Sequence, residues 1–378
     1  MSNRADCPHR PPCPGCPRFG SPDLPEDAWA DLLEITTAAG LPNPRVHRIT
    51  GYGHRHRARL AVRGTAQNPK IGLFQADSHR IVHIPHCRVH HPLINEASSL
   101  IREAIRETGI SPYADRPHRG ALRYLQLVVE RASNRVQVVL VGCGSSPDVL
   151  GDLPSAVERR LGDRLQGLFF NAQPERTNAI FGPRMTHLAG DPAIHESIRS
   201  VDVYFPPGAF GQNHLPLFER AVDRIADLVP ANSTIAEYYC GVGSIGLTLL
   251  GRAKAVRFNE RSSEGLLGLE LGLAERPEEE RARATVLPGS AGERLEGLTG
   301  ADLVLVDPPR RGLDETLRGA LADSPPTRLV YLACGLESLA SDLTVLQRGG
   351  GLVLRGLEVF DFFPFTQHVE TLVWLDRV

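Results

Sequence analysis

Three stretches carry residue types that could do chemistry. In Leu303-Val304-Leu305-Val306-Asp307-Pro308-Pro309-Arg310-Arg311-Gly312 an apolar, β-branched run stops at an acid, two prolines and paired arginines. The run predicts a strand buried on both faces, and the prolines cannot continue its ladder. Ligands of an open α/β sheet bind outside the carboxyl ends of its strands, so Asp307 sits where substrate and cofactor should meet. Gly241-x-Gly243-x-x-Gly246 follows a second strand-like run, where glycines permit a tight turn and close approach of backbone to a ligand. Glu237 precedes this loop, and Glu260 ends the next strand, where an acid can bind ribose hydroxyls. A dinucleotide is the rival ligand, but no basic residue or further glycine signature marks a pyrophosphate.

The third stretch is Cys7-x5-Cys13-x2-Cys16, in a Pro-rich arm with too few apolar residues to form a core. Such an arm needs a staple, and Cys87, in His83-Ile84-Pro85-His86-Cys87, is the plausible fourth thiol. Four thiolates suit tetrahedral zinc or an iron–sulfur cluster. The alternative is a reduced arm with no metal, and His83, His86 and His90 are either substitute ligands or solvated, RNA-facing side chains.

At 378 residues, 42% of them apolar, the chain predicts two or three domains and excludes disorder as its main state. No apolar run approaches the roughly 20 residues that span a bilayer, and the N-terminus lacks a signal peptide's apolar region. The expectation is therefore a cytoplasmic protein without a membrane partner, and a monomer by default. Seven cysteines outside any secretory context do not read as disulfides. A formal net charge of −2 does not advertise nucleic-acid binding. Local basic patches at Gly53-His54-Arg55-His56-Arg57-Ala58-Arg59 and Arg116-Pro117-His118-Arg119 leave it open.

The elements that must position these groups fall into two blocks. Residues 27–200 predict a strand-rich α+β domain: helices over 27–40, 92–107 and 153–161, and strands over 58–62, 71–74, 81–84, 122–131, 136–141, 168–171, 177–181 and 185–189. The metal arm and the start of this domain occupy 1–90. From about 201 the register changes to a helix over 215–228, then strands over 234–239, 255–258, 303–306, 329–332, 351–360 and 370–375, with a helix opening at 247–250. Strands alternating with helical segments predict an α/β domain, a mostly parallel doubly wound sheet over 201–378.

Glu237-Tyr238-Tyr239-Cys240-Gly241-Val242-Gly243, Asp307-Pro308-Pro309-Arg310, Cys334 after a strand and His368-Val369-Glu370-Thr371 occur in the order seen in RNA uracil-5-methyltransferases, and the chain resembles that family. The Phe210-Gly211-Gln212-Asn213 loop resembles the element just before that family's Rossmann-like methyltransferase domain. The resemblance implies S-adenosylmethionine-dependent methylation of C5 of a uridine in structured RNA. The shorter members, without a leading RNA-binding barrel, favour 23S rRNA over tRNA.

By the same resemblance Cys334 is the nucleophile that adds to uracil C6, with Arg310 a cation that favours its thiolate. Glu370 is the general base, a role suited to a carboxylate whose pKa burial raises. Gln212, Glu237, Tyr239, Gly241, Gly243, Glu260 and Asp307 are implied contacts to S-adenosylmethionine or the target base. Cys7, Cys13, Cys16 and Cys87 are implied ligands of a [4Fe–4S] cluster, with zinc as the alternative. A base in folded RNA must be flipped out to reach the thiol, and Phe210 could hold it.

The chain departs from the family at Gly335-Leu336, where Asn-Pro is usual after the cysteine, at Glu237, where aspartate is commoner, and at Ser290, where an acid is expected. These motivate an alternative, an RNA-binding iron–sulfur paralogue with impaired catalysis. Amino-group methylation of a base also uses an Asp-Pro-Pro loop, but it needs no cysteine, so Cys334 argues against it.

Overall fold

Leu303–Val306 is indeed a strand buried along its whole length, and an eight-stranded sheet is built around it. The computed structural model describes residues 7–21, 23–49 and 51–378. In chain order the elements begin with α1 (Glu26–Ala38), β1 (Arg45–His47), β2 (Arg57–Gly64), β3 (Pro69–Phe74), β4 (Ile81–His83), α2 (Pro92–Thr108), β5 (Leu122–Glu130) and β6 (Arg135–Gly142). Then follow α3 (Leu153–Leu161), β7 (Leu165–Ala172), β8 (Arg184–Gly190), β9 (Ile194–Ile198), β10 (Val201–Phe205), α4 (Leu215–Leu228), β11 (Thr234–Tyr238) and β12 (Ala255–Glu260). The chain closes with α5 (Ser263–Ala274), α6 (Glu278–Arg281), β13 (Ala284–Pro288), β14 (Leu303–Val306), α7 (Glu315–Asp323), β15 (Arg328–Ala333), α8 (Leu336–Leu346), β16 (Leu352–Phe360) and β17 (Glu370–Arg377).

Contacts divide the chain into two units. One takes the described part of Met1–Gly20 with Gly51–Glu196 and Pro206–Gly208; the other takes the rest. The first unit holds a seven-stranded sheet in the order β4-β3-β2-β5-β6-β7-β8. Its neighbours are antiparallel except β6 and β7, which run parallel across the α3 crossover. The apolar stripe of α2, including Ile94, Ala97, Ile101, Ala104 and Ile105, covers one face, as its 3.6-residue spacing predicts. Cys13 and Cys87 pack against this core.

The second unit's sheet runs β1-β16-β17-β15-β14-β11-β12-β13. The five strands β15-β14-β11-β12-β13 are mutually parallel, and β17 is antiparallel to both β15 and β16. Three expectations need correction. Helix α1 and strand β1 belong to this unit, not to the strand-rich block over 27–200, because β1 pairs with β16 and α1 buries Leu32 in the core beneath α8. Residues 177–181 are not a strand. There Arg123 donates to the carbonyls of Gln173, Glu175 and Thr177, so an arginine replaces a ladder. The helix expected from Leu247 is one 3-10 turn, Gly246–Leu249.

Candidate active site at the carboxyl edge of the sheet

Strands β14 and β15 lie side by side, Val306 opposite Tyr331, so Asp307 and Cys334 leave them at the same edge. Strand β17 returns antiparallel to β15 with Thr371 opposite Ala333, which starts β17, at Glu370, where Cys334 leaves β15. On the other side of β14, β11 delivers the glycine loop to that edge. Sheet topology alone therefore brings together an acid, a thiol, a second acid and a flexible backbone turn.

Their surroundings differ from bulk water. Glu370 is fully buried, and among the described residues neither carboxyl oxygen has a hydrogen-bond partner. Burial first, and then the neighbouring Asp307 carboxyl, hold its pKa well above the usual range, against the pull of Arg310. Burial also raises Asp307. The half-buried Cys334 thiol is pushed up to about 11 by burial, then by Glu370 and Asp307, with Arg310 opposing. Arg310 thus favours the thiolate, as expected, but desolvation and two carboxyls outweigh it. An ionised carboxylate buried without a partner costs several kcal/mol, so burial favours the neutral forms of Glu370 and of the thiol in the resting site.

The glycine loop is shaped by carboxylates. Tyr239, Gly241 and Gly243 adopt φ of 59°, 56° and 76°, and a tyrosine in this region marks a turn held under strain. A side chain at Gly246 would put its Cβ 2.0 Å from Oε2 of Glu237, so only glycine fits there. Glu237 is buried and pushed up to about 8 by burial, with the Gly246 N–H lowering it and Asp307 and Glu260 raising it. Glu260 accepts the N–H groups of Gly241 at 2.9 Å, Arg261 at 2.8 Å and Ser262 at 2.6 Å, and so braces the turn. Gln212 is buried in the loop before α4, and Phe210 is 67% exposed. Three carboxyls around the loop, those of Glu237, Glu260 and Asp307, suit a ligand bearing positive charge and ribose hydroxyls.

Other residues take roles that the sequence did not suggest. The Tyr239 hydroxyl accepts the Asp314 N–H at 2.8 Å, fastening the chain just beyond the Asp307 loop. Asp342 is buried on α8 and accepts from the Leu313 N–H at 2.9 Å, the Tyr331 hydroxyl at 2.8 Å and Arg318 at 2.9 Å. A Cβ at Gly335 would stand 2.9 Å from the Arg310 carbonyl oxygen and from Ser338 Oγ, so the loop lies where a side chain at 335 would be. Asp342 had a signal: it occupies an apolar register position of α8, beside Leu339, Leu343 and Leu346. Ser290 opens a 3-10 turn, its N–H donating to the Glu293 carboxylate, and His368 is exposed with its ring edge-on to Phe363.

In the first unit, Cys7, Cys13, Cys16 and Cys87 line one small cavity with Leu73, Ile84 and Val89. Burial and then the nearby Cys87 push Cys16 up to about 11, with Arg55 opposing and Cys13 and Cys7 adding to the rise. Among the described residues, however, no group of three His, Cys, Asp or Glu side chains has the close arrangement of a metal site. The four thiols thus converge on one cavity without closing around a single ion. No helix of the described residues is long and apolar enough to cross a membrane.

Fold and edge together define a Rossmann-like methyltransferase. Residues 292–378 match the tRNA (Uracil-5-)-methyltransferase family model. An uncharacterized RNA methyltransferase of Protochlamydia amoebophila is 34% identical, over 98% of this chain and 97% of its own. One from Gloeobacter violaceus is 33% identical, over 98% and 84%. The solved Pyrococcus abyssi tRNA (uracil-54, C5)-methyltransferase, in complex with S-adenosyl-L-homocysteine, matches with a TM-score of 0.78 at 25% identity, over 96% of this chain and 84% of that one. The chain belongs to the RNA uracil-5-methyltransferase family.

Proposed function

We propose that this enzyme methylates C5 of a uridine in structured RNA through a covalent adduct of Cys334 with uracil C6. The observation that carries the reading is Glu370, buried with both carboxyl oxygens unpartnered at the sheet edge where Cys334 emerges. Buried polar groups are almost always paired, and an unpaired acid at the carboxyl edge of the sheet fits a group kept for a reactant. Uracil C5 is a poor nucleophile. As Cys334 Sγ bonds to C6 its proton passes to solvent, and the electron pair of the C5–C6 double bond moves towards O4, giving an enolate reactive at C5. Glu237, Glu260, Asp307, Gln212 and the backbone from Tyr239 to Gly243 would hold S-adenosylmethionine, which would supply the electrophilic methyl group to C5 and leave as S-adenosylhomocysteine. Glu370, once its resting proton has passed to solvent, takes the C5 proton, the C5–C6 double bond re-forms, and Cys334 leaves as thiolate.

The reading extends to a [4Fe–4S] cluster on Cys7, Cys13, Cys16 and Cys87, supported by the one small cavity that all four line, with zinc as the alternative. A cluster spaces its thiolates farther apart than a single ion does. A brown anaerobic preparation with broad visible absorption supports the cluster, and a colourless one with stoichiometric zinc refutes it.

The catalytic reading is tested with 5-fluorouridine-containing RNA and S-adenosylmethionine, because fluorine cannot leave C5 as a proton does. A covalent protein–RNA adduct is expected, first with 23S rRNA and second with tRNA, and it is absent in Cys334→Ala. Wild-type protein that forms no adduct with either RNA overturns the reading.

A further inference from the structure

The first unit carries a surface that the chemistry at the sheet edge does not use. Tyr52 is 46% exposed, and its ring stacks on Phe19 with centroids 5.7 Å apart and planes 14° from parallel. The ring thus has Phe19 stacked against it and also lines a groove. Gly51 and Gly53 flank it with φ of 133° and 74°, which holds the ring out on a turn.

Backbone hydrogen bonds fix this turn beside Arg88. The Gly53 N–H donates to the Arg88 carbonyl at 2.9 Å, Arg55 N–H to Val89 at 2.8 Å, and His91 N–H to Arg55 at 2.8 Å. Tyr52, His86, Arg88, His91 and Asn95 line a groove of about 660 Å³, and no residue lining it is acidic. Arg88 and His86 are exposed. The arm supports the platform from below, because the Phe19 N–H donates to the Cys16 carbonyl at 3.1 Å.

An aromatic ring, an exposed arginine and amide and imidazole groups, with no acidic residue in the lining, match one kind of partner. We infer that this groove binds an unpaired stretch of the RNA substrate, with a base stacked on Tyr52 and the adjoining phosphate on Arg88. Aromatic stacking suits any base, and single strands are held by such platforms with a cation tracking the backbone. A protein partner would be expected to meet a larger apolar surface, which the polar lining here lacks. The inference rests on RNA being the substrate class, but not on the chemistry of Cys334.

The probe is a fluorescein-labelled oligouridylate, titrated with full-length protein in anisotropy measurements at two salt concentrations. Tyr52→Ala is expected to weaken binding roughly 5- to 100-fold, the range for one base on one ring, while Tyr52→Phe binds as wild type does. Arg88→Gln is expected to weaken binding and to lower the salt slope by about one. Unchanged binding in Tyr52→Ala, or equal losses in Tyr52→Ala and Tyr52→Phe, overturns the inference. The titration needs no methyl transfer, so unchanged probe binding in Tyr52→Ala is failure of the groove, whereas absence of the 5-fluorouridine adduct in the wild-type protein is failure of the catalytic reading.

Discussion

Two buried carboxylates of the second unit, Glu370 and Asp342, show how the same chemical group is used in opposite ways. Asp342 is 2% exposed, and the Leu313 N–H, the Tyr331 hydroxyl and Arg318 all donate to it. Glu370 is equally buried and has no donor among the described residues. A carboxylate with three donors is a structural anchor whose charge is compensated. One without donors is destabilising as an ion and is kept protonated until a reactant arrives. The difference teaches that burial alone does not find a catalytic acid. The count of donors does.

The largest expected effect comes from Glu370→Gln. Loss of a general base lowers the rate roughly 10²- to 10⁴-fold. Stability should move the other way. Because the folded pKa of Glu370 lies above its unfolded value of about 4.3, the native state binds more protons than the unfolded state in between, and stability falls as pH rises through that window. Glutamine carries no proton to lose, so the variant should melt higher than wild type at pH 7 and the gap should close towards pH 4. Thermal melts across that range check this, and a variant that melts lower at pH 7 removes the contrast with Asp342. In the wild type, methylation should rise with pH through neutrality, because Glu370 must ionise and the Cys334 thiol, at about 11, must deprotonate.

Asp342 should break in the opposite sense. Asp342→Ala leaves Arg318 and the Tyr331 hydroxyl without their partner and destabilises the fold by about 3–5 kcal/mol, as removal of one member of a buried ion pair does. Denaturant melts measure the loss. Asp342→Asn keeps acceptors for two donors and should recover part of it. The adduct with 5-fluorouridine RNA should weaken in Asp342→Asn while S-adenosylmethionine binding holds, because Asp342 acts on the loop after Asp307 rather than on the cofactor. Equal loss of both activities would make Asp342 a general scaffold residue only.

Much of this edge was legible beforehand. Asp307 was readable because an apolar run that stops at Asp-Pro-Pro can only be a strand end, and the glycine loop because its spacing demands positive φ. Helices at 153–161 and 215–228 fall where their apolar spacing put them. Asp342 carries a signal only once α8 is placed: its position among Leu339, Leu343 and Leu346 marks it as buried, but its three donors come from other parts of the chain. The unpartnered state of Glu370 was equally hidden, since it depends on strand register across residues 333 and 371. Helix α1 was recognised but assigned to the wrong block, because local periodicity says nothing about which sheet a helix will cover.

The smallest effect, and the one that bears most closely on this chain's departure from its family, is expected at Gly335. Asparagine there would restore the family's polar side chain next to the nucleophile. It would also place a Cβ 2.9 Å from the Arg310 carbonyl, a backbone atom that cannot swing aside. The loop carrying Asp307 and Arg310 would have to move away from α8, against the Leu313–Asp342 hydrogen bond that fixes it. Gly335→Asn should therefore cost about 1–3 kcal/mol in stability, in the range for overpacking, and slow adduct formation rather than improve it. Gly335→Ala, which adds the Cβ alone, should show most of the same loss. If Gly335→Asn instead speeds adduct formation, the position of the loop does not depend on the missing side chain. Glycine would then be a deficit at this site, and the anchoring assigned to Asp342 would be less demanding than its three donors imply.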